Sequence, residues 1–245
     1  MDKGVFETIL IFQKKPQFLE DHLLRLQKGL SYLGYSYSIN DLFAIINEHI
    51  STLHKKELIF NRFRIEFFID AEQNVKNYCF VKKDDLILDN GINLALYYKT
   101  IATKKDENRY QLFKNKDRTV YNQAQEHATM EGCLDSIIIT PKKNISDTSR
   151  FNVFLIKKNT FFTSPLSDTP LDGVFRKNLI RFFRSNGYSF IETSIPVDQL
   201  HSFEEVFLTN VIRGIVPVKN IEHFPYSSNQ TIALQKAFRK IYPAY

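Results

Sequence analysis

The N-terminal residues 4–12, GVFETILIF, concentrate β-branched and aromatic side chains and predict a strand. From Asp21 the pattern changes, and Leu23, Leu26, Leu30 and Leu33 recur at three- and four-residue intervals, the signature of an amphipathic helix that ends near Gly34. A second helix is expected from Asp41, with Leu42, Ile45, Ile46 and Ile50 on one face. Segments 58–69, 78–82 and 92–99 read as strands, which makes an α+β module of residues 1–104. The polar stretch 102–111, ATKKDENRYQ, resembles a crossover between modules.

A second α/β module is expected over residues 105–245. Val120–Gly132 reads as a helix and Ser136–Thr140 as a short apolar strand, with a turn at 141–144. Segments 151–156 and 160–163 suggest a hairpin. A helix follows Gly173 and stops near Gly187; a strand is expected at 204–208, and a last helix from Thr231 to Ile241.

Composition narrows the class. The chain has 245 residues, 43% of them hydrophobic and 24% charged, which is ample for packed cores and unlike a disordered chain. Cys79 and Cys133 are far apart in sequence, a usage that fits a reducing compartment and a cytoplasmic protein. No window approaches the length of a membrane-spanning apolar run, and the N-terminus reads as a strand rather than a signal peptide. The net charge of +6 is spread along the chain and interleaved with acids, so nucleic acid is not an expected partner.

Several chemistries lack their motifs. Gly29 and Gly34 have the spacing of a phosphate-binding loop, but Tyr35 stands where its lysine belongs, and the two glycines suit a helix interior and its C-terminal cap. There is no GxGxxG, GxSxG or HExxH, and no metal site is expected.

What remains is a series of fragments in order: GVFET (4–8), FLEDHLLRL (18–26), FKNKDRTVYNQA (113–124), ISDTSRFNVFLIKKNTFFTSPL (145–166), LDGVFRKNLI (171–180) and EEVFLTNVIRGIVPV (204–218). This series resembles the class IV aminotransferase family of pyridoxal-phosphate enzymes, which includes branched-chain and D-amino-acid aminotransferases and aminodeoxychorismate lyase. The resemblance implies the two-domain α/β architecture called fold type IV, with a small N-terminal and a larger C-terminal domain that together hold pyridoxal 5'-phosphate. It also implies a homodimer acting on a small amino-group substrate.

Such an enzyme needs a lysine that condenses with the cofactor aldehyde and later moves protons at the substrate. By resemblance that residue is Lys114, with Lys116 as the alternative register; taken alone, either is a solvated lysine in a charged stretch. The pyridine nitrogen needs a carboxylate, and Asp147 holds the position where the family has Glu. The phosphate needs a cation and N–H donors. Arg25 matches the family's arginine, and Val174 and Phe175 open a helix whose backbone suits an anion. Phe175 replaces the usual Thr, so only backbone donors carry over. Thr209, Asn210 and Val211 match a second phosphate-side loop, where Val211 again leaves backbone contact only.

The reaction stays open between lyase and aminotransferase. Thr8 matches a threonine that the lyases place near the reacting group and favours elimination of pyruvate from 4-amino-4-deoxychorismate, which yields 4-aminobenzoate for folate synthesis; on its own Thr8 is equally a strand former. Arg64, Arg118 and Arg213 are candidates for the substrate carboxylate, with Arg213 preferred, and Tyr121 is a candidate for the cofactor hydroxyl. A cofactor-free protein binding an anionic ligand on the same fold is the alternative of another class.

Overall fold

A computed structural model describes residues 4–53, 60–70, 72, 74–82, 91–98 and 112–245. They form two compact units, one from the described residues up to Lys82 with Leu112–Asp117, the other from the described residues between 91 and 98 with Arg118–Tyr245.

The first unit is a four-stranded antiparallel sheet, in the order β2-β1-β3-β4, with two helices. Its strands are β1 (Gly4–Phe12), β2 (Lys15–Pro16), β3 (Phe60–Ile69) and β4 (Val75–Lys82); its helices are α1 (Leu19–Tyr32) and α2 (Ile39–Leu53). Strand alternation sends Val5, Ile9 and Ile11 of β1 and Phe63, Ile65 and Phe67 of β3 into one apolar core, where they meet Leu23, Leu26 and Leu30 of α1 and Leu42, Ile46 and Ile50 of α2. α2 starts a little before the expected Asp41 because Ser38 and Asp41 exchange hydrogen bonds across its first turn. Gly34 ends α1 at φ 90°, a value that favours glycine. Gly29 has a different purpose: a Cβ there would stand 2.9 Å from Val5 and 3.1 Å from Phe113, so its bareness admits both side chains against α1.

The second unit holds β5 (Ile92–Tyr98), α3 (Thr119–Met130), β6 (Asp135–Ile139), β7 (Ile145–Thr148), β8 (Asn152–Lys157), β9 (Thr160–Thr163), α4 (Val174–Ser185), β10 (Phe190–Glu192), β11 (Glu205–Asn210), β12 (Gly214–Ile221), β13 (Phe224–Pro225) and α5 (Asn229–Ile241). The main path of its nine-stranded sheet runs β10-β9-β8-β11-β12-β5-β6-β7. A further pairing of β7 with β8, through Asp147 and Asn152, joins six of these strands into a closed ring. One face of the sheet carries the aliphatic core of Leu94, Ile137, Val153, Leu155, Val206 and Leu208. The other is aromatic: Phe154 stacks on Phe207 at 5.1 Å, and Phe161 on Phe183 of α4 at 4.6 Å. The 151–163 hairpin turns through Lys158 and Asn159, both at positive φ, as a two-residue connection requires. Glu205, buried at the start of β11, accepts the Gln230 and Thr231 N–H groups and so caps α5.

The boundary expected near residue 105 lies outside the described residues. Around it the chain divides less simply than one crossover implies. β5 pairs with β12 and β6 of the second unit, and Leu112–Asp117 belongs to the first. The reason is local: Phe113 is an apolar anchor in the first core, whereas β5 is a parallel strand whose partners lie later in the chain. The short strands β2, β7, β10 and β13 have too few residues to show a period, and sequence patterning did not separate them from loops. Among the described residues no helix is long and apolar enough to cross a membrane, and no acidic, His or Cys group is placed to hold a metal ion.

Candidate functional site

The lysine segment lies along β1. Phe6 N–H donates to the Lys114 carbonyl at 3.0 Å, Lys116 N–H donates to the Gly4 carbonyl at 3.0 Å, and Asn115 bridges to Val5. Alternation then sends Phe113 into the core and the side chains of Lys114 and Lys116 to the opposite face. There the two lysines differ. Lys116 Nζ lies 3.5 Å from Glu66 Oε2, and its stem covers Gly4. Lys114 Nζ stands over the Phe6 ring, 5.3 Å from the centroid. The two lysines thus share one face of the sheet but sit in different surroundings, Lys116 beside a carboxylate and Lys114 over an aromatic ring.

Thr8 follows Phe6 on the same face of β1 and is buried. Its register partner on β3 is Arg64, whose guanidinium lies 3.9 Å from the Phe6 centroid and donates from Nε to Glu66 Oε1 at 2.7 Å. Tyr78 donates to the other Glu66 oxygen. Arg64 is thereby oriented by Glu66 rather than pointed at solvent.

The core-facing side of β1 carries a charged residue that sequence reasoning missed. Glu7 lies between Val5 and Ile9 and is 1% exposed. Its Oε1 accepts Arg25 Nε and its Oε2 accepts Arg25 Nη2, both at 2.7 Å, while His22 Nδ1 reaches Oε2 at 2.7 Å. Burial pushes the Glu7 carboxyl upward, but the Arg25 charge and hydrogen bonds, joined by His22, outweigh it and leave the group well below the ordinary carboxylate range. Burial lowers His22, and Glu7 only partly restores it. The missed signal was an acid at the parity of Val5 and Ile9, which demands a buried cation; α1 offers His22 and Arg25 three residues apart, on one helical face.

In the second unit Asp147 is buried on β7. Its Oδ2 accepts the Leu171 N–H at 2.9 Å and lies 3.4 Å from the Tyr121 hydroxyl. Burial raises its carboxyl to about 7; the Leu171 and Tyr121 hydrogen bonds oppose the rise and the Asp135 charge adds to it. No cation pairs with Asp147 among the described residues. A buried carboxylate in that condition suits a cationic N–H donor such as a protonated pyridine, so the residues present fit pyridoxal phosphate. Tyr121 therefore stands beside Asp147. Arg118, stacked on Tyr121 at 4.9 Å, donates to the Ser149 carbonyl at 2.7 Å.

Gly173 caps α4, and Val174 and Phe175 form its first turn. The Phe175 ring faces the core, 4.8 Å from Tyr245 and 5.1 Å from Phe238, so only its backbone is available for an anion, as the replacement of Thr implied. Asn210 Oδ1 accepts the Ile212 and Arg213 N–H groups at 3.0 and 2.8 Å, shaping the turn that Gly214 closes at φ 65°. Asn210 thus commits its Oδ1 within the loop while its Nδ2 donates to the Arg150 carbonyl at 3.3 Å, and Val211 is buried. Thr209 Oγ1, on the strand just before, is buried with no partner among the described residues.

Comparison with known proteins decides the family. The family model for amino-transferase class IV matches residues 4–221. The chain belongs to the class IV aminotransferases. It is therefore a pyridoxal-phosphate enzyme, an aminotransferase or lyase of that class. The D-alanine aminotransferase of Bacillus licheniformis is 22% identical over 231 residues, 89% of this chain and 79% of that protein. A mitochondrial branched-chain-amino-acid aminotransferase of Arabidopsis thaliana is 42% identical over 79 residues, which is 32% of this chain and only 21% of that protein. The crystal structure of a putative 4-amino-4-deoxychorismate lyase from Legionella pneumophila superimposes with a TM-score of 0.86 at 22% identity, covering 98% of this chain and 91% of that one. At that identity the likeness speaks for the fold of this class IV enzyme, two-domain fold type IV, and leaves its substrate open.

Proposed function

We propose that this class IV enzyme is a lyase that releases pyruvate from 4-amino-4-deoxychorismate and leaves 4-aminobenzoate. The observation that carries the reading is Thr8: β1 alternation puts its hydroxyl on the face that Phe6 presents to Lys114 and Arg64. In this reading Lys114 carries the cofactor. Arg25 and the backbones of the α4 first turn (Val174, Phe175) and of the Asn210–Val211 loop would bind its phosphate. Asp147 would hold the pyridine nitrogen protonated, and the cofactor, when bound, would supply an electron sink for the carbon bearing the amino group.

The residues of the chain do the rest. Lys114 takes the proton from that carbon. The bond from the ring to the enolpyruvyl oxygen breaks and the ring becomes aromatic. Thr8 donates a hydrogen bond to the departing oxygen, which leaves as enolpyruvate and becomes pyruvate on protonation. Arg213 receives the substrate carboxylate. A role in folate synthesis, a cytoplasmic location and a homodimer belong to the same proposal.

The test supplies 4-amino-4-deoxychorismate to the enzyme loaded with pyridoxal phosphate and measures both products. Pyruvate and 4-aminobenzoate in equal amounts support the lyase. Amino-group exchange that needs a keto acid and releases no pyruvate supports the second reading, an amino-acid aminotransferase; that reading is favoured by the near full-length similarity to the D-alanine enzyme.

A further inference from the structure

We propose that Glu7 is a positioning residue for cofactor binding: it holds the Arg25 guanidinium in the plane and direction from which it meets the phosphate. The inference rests on the reading of Arg25 as the phosphate cation. Glu7 grips the edge formed by Nε and Nη2, and two parallel bonds at 2.7 Å fix both the guanidinium plane and its rotation about the last side-chain bond. A single acceptor would leave that rotation open. All three members of the cluster are buried, at 1% for Glu7, 0% for His22 and 5% for Arg25. An unpaired guanidinium in such a place would be expelled or would refold its stem toward water.

His22 completes the hold. With its ring uncharged, the hydrogen must lie on Nδ1, because the Glu7 carboxylate only accepts. His22 thus fills Oε2 without adding a charge that competes with Arg25, while its Nε2 stays buried with no partner among the described residues. The phosphate then finds a cation already desolvated and already aimed, and the cost of ordering a long side chain is met on folding rather than on binding.

Pyridoxal phosphate and pyridoxal share the aldehyde that condenses with Lys114 and differ only in the phosphate, so the ratio of their affinities isolates the phosphate contact. We expect Glu7→Gln to lower the wild-type preference for pyridoxal phosphate about fivefold to tenfold, with pyridoxal affinity held within about twofold. A folded Glu7→Gln protein whose ratio is unchanged or raised overturns the proposal, since a mere brace between β1 and α1 would not move it. Should Glu7→Gln not fold, Glu7→Asp keeps the charge but shortens the reach; a reduced ratio supports the proposal and parity with wild type overturns it. Arg25→Gln, which removes the charge, tells the two roles apart. If it loses the ratio while Glu7→Gln keeps it, only the role of Glu7 fails; if it keeps the ratio, Arg25 is not the phosphate cation and both fail.

Discussion

The carboxamide oxygen of Asn152 fills the space that a Cβ at Gly173 would need. Gly173 sits at φ −69°, a conformation open to any residue, so the requirement is for room and not for backbone freedom. Asn152 cannot retreat cheaply, because its Nδ2 donates to the Leu171 carbonyl at 2.8 Å and its backbone closes the strand ring against Asp147. Gly173→Ala should therefore destabilise the protein by about 1–3 kcal/mol, the usual cost of overpacking, and weaken cofactor binding by disturbing the α4 first turn. In an Asn152→Ala background the same substitution should cost much less. Thermal unfolding of the single and double variants checks this, and strictly additive effects would show that the two residues do not contend for one space.

Lys114→Ala should leave a folded protein that loses the yellow cofactor band on dialysis, whereas Lys116→Ala should keep it. Removing Lys116 breaks a partly exposed pair with Glu66, worth less than about 1 kcal/mol, and uncovers Gly4. Absorbance spectra after dialysis, with unfolding curves alongside, decide between the two lysines; retention of the band by Lys114→Ala would move the assignment to Lys116.

The two buried carboxyls should give stability opposite dependences on pH. Asp147 is raised from 3.8 to about 7, so the folded state holds its proton more tightly than the unfolded chain does. Its contribution is present at low pH and is withdrawn as pH rises from about 4 to 7. Glu7 is lowered from 4.5, so its contribution is present above that value and is lost as the pH falls below it. Denaturant unfolding of the cofactor-free protein should show Asp147→Asn flattening the slope between about pH 4 and 7, and Glu7→Gln flattening the acid limb. The same Asp147→Asn protein should bind pyridoxal phosphate weakly at neutral pH, since an amide supplies no charge to a protonated pyridine.

The long periodic elements were legible in the sequence. Leu23, Leu26 and Leu30 identify α1, and the β-branched run identifies β1, because each pattern repeats over several turns or pairs. The family motifs singled out Lys114, Arg25 and Asp147 as candidates, and Phe175 and Val211, where the family has small or hydroxyl residues, are both buried. What patterning does not carry is pairing between distant residues. Glu7 reads as a lone acid in a strand until α1 brings Arg25 to it, whereas the Arg64–Glu66 pair, two residues apart on one face of β3, is the kind that strand alternation can suggest. The division of the chain at β5 escapes for the same reason, since a parallel strand reveals its partner only in the fold.

Thr8 offers the sharpest separation of lyase from aminotransferase. Thr8→Val keeps the shape and the strand preference at a buried position of β1 and removes only the hydroxyl. If that hydroxyl assists the departing enolpyruvyl oxygen, pyruvate release should fall about a hundredfold, in the range that one positioned proton donor supplies. Thr8→Ser, which restores a hydroxyl, should recover most of it. Cofactor absorbance and affinity should stay unchanged in both, because the hydroxyl is assigned to the substrate and not to the phosphate or the pyridine. Parallel rates of pyruvate release and of amino exchange with D- and L-amino acids check the claim. Equal losses in both reactions would assign Thr8 to a step they share, before any carbon–oxygen bond breaks, and full lyase activity in Thr8→Val would return Thr8 to the role of a strand former.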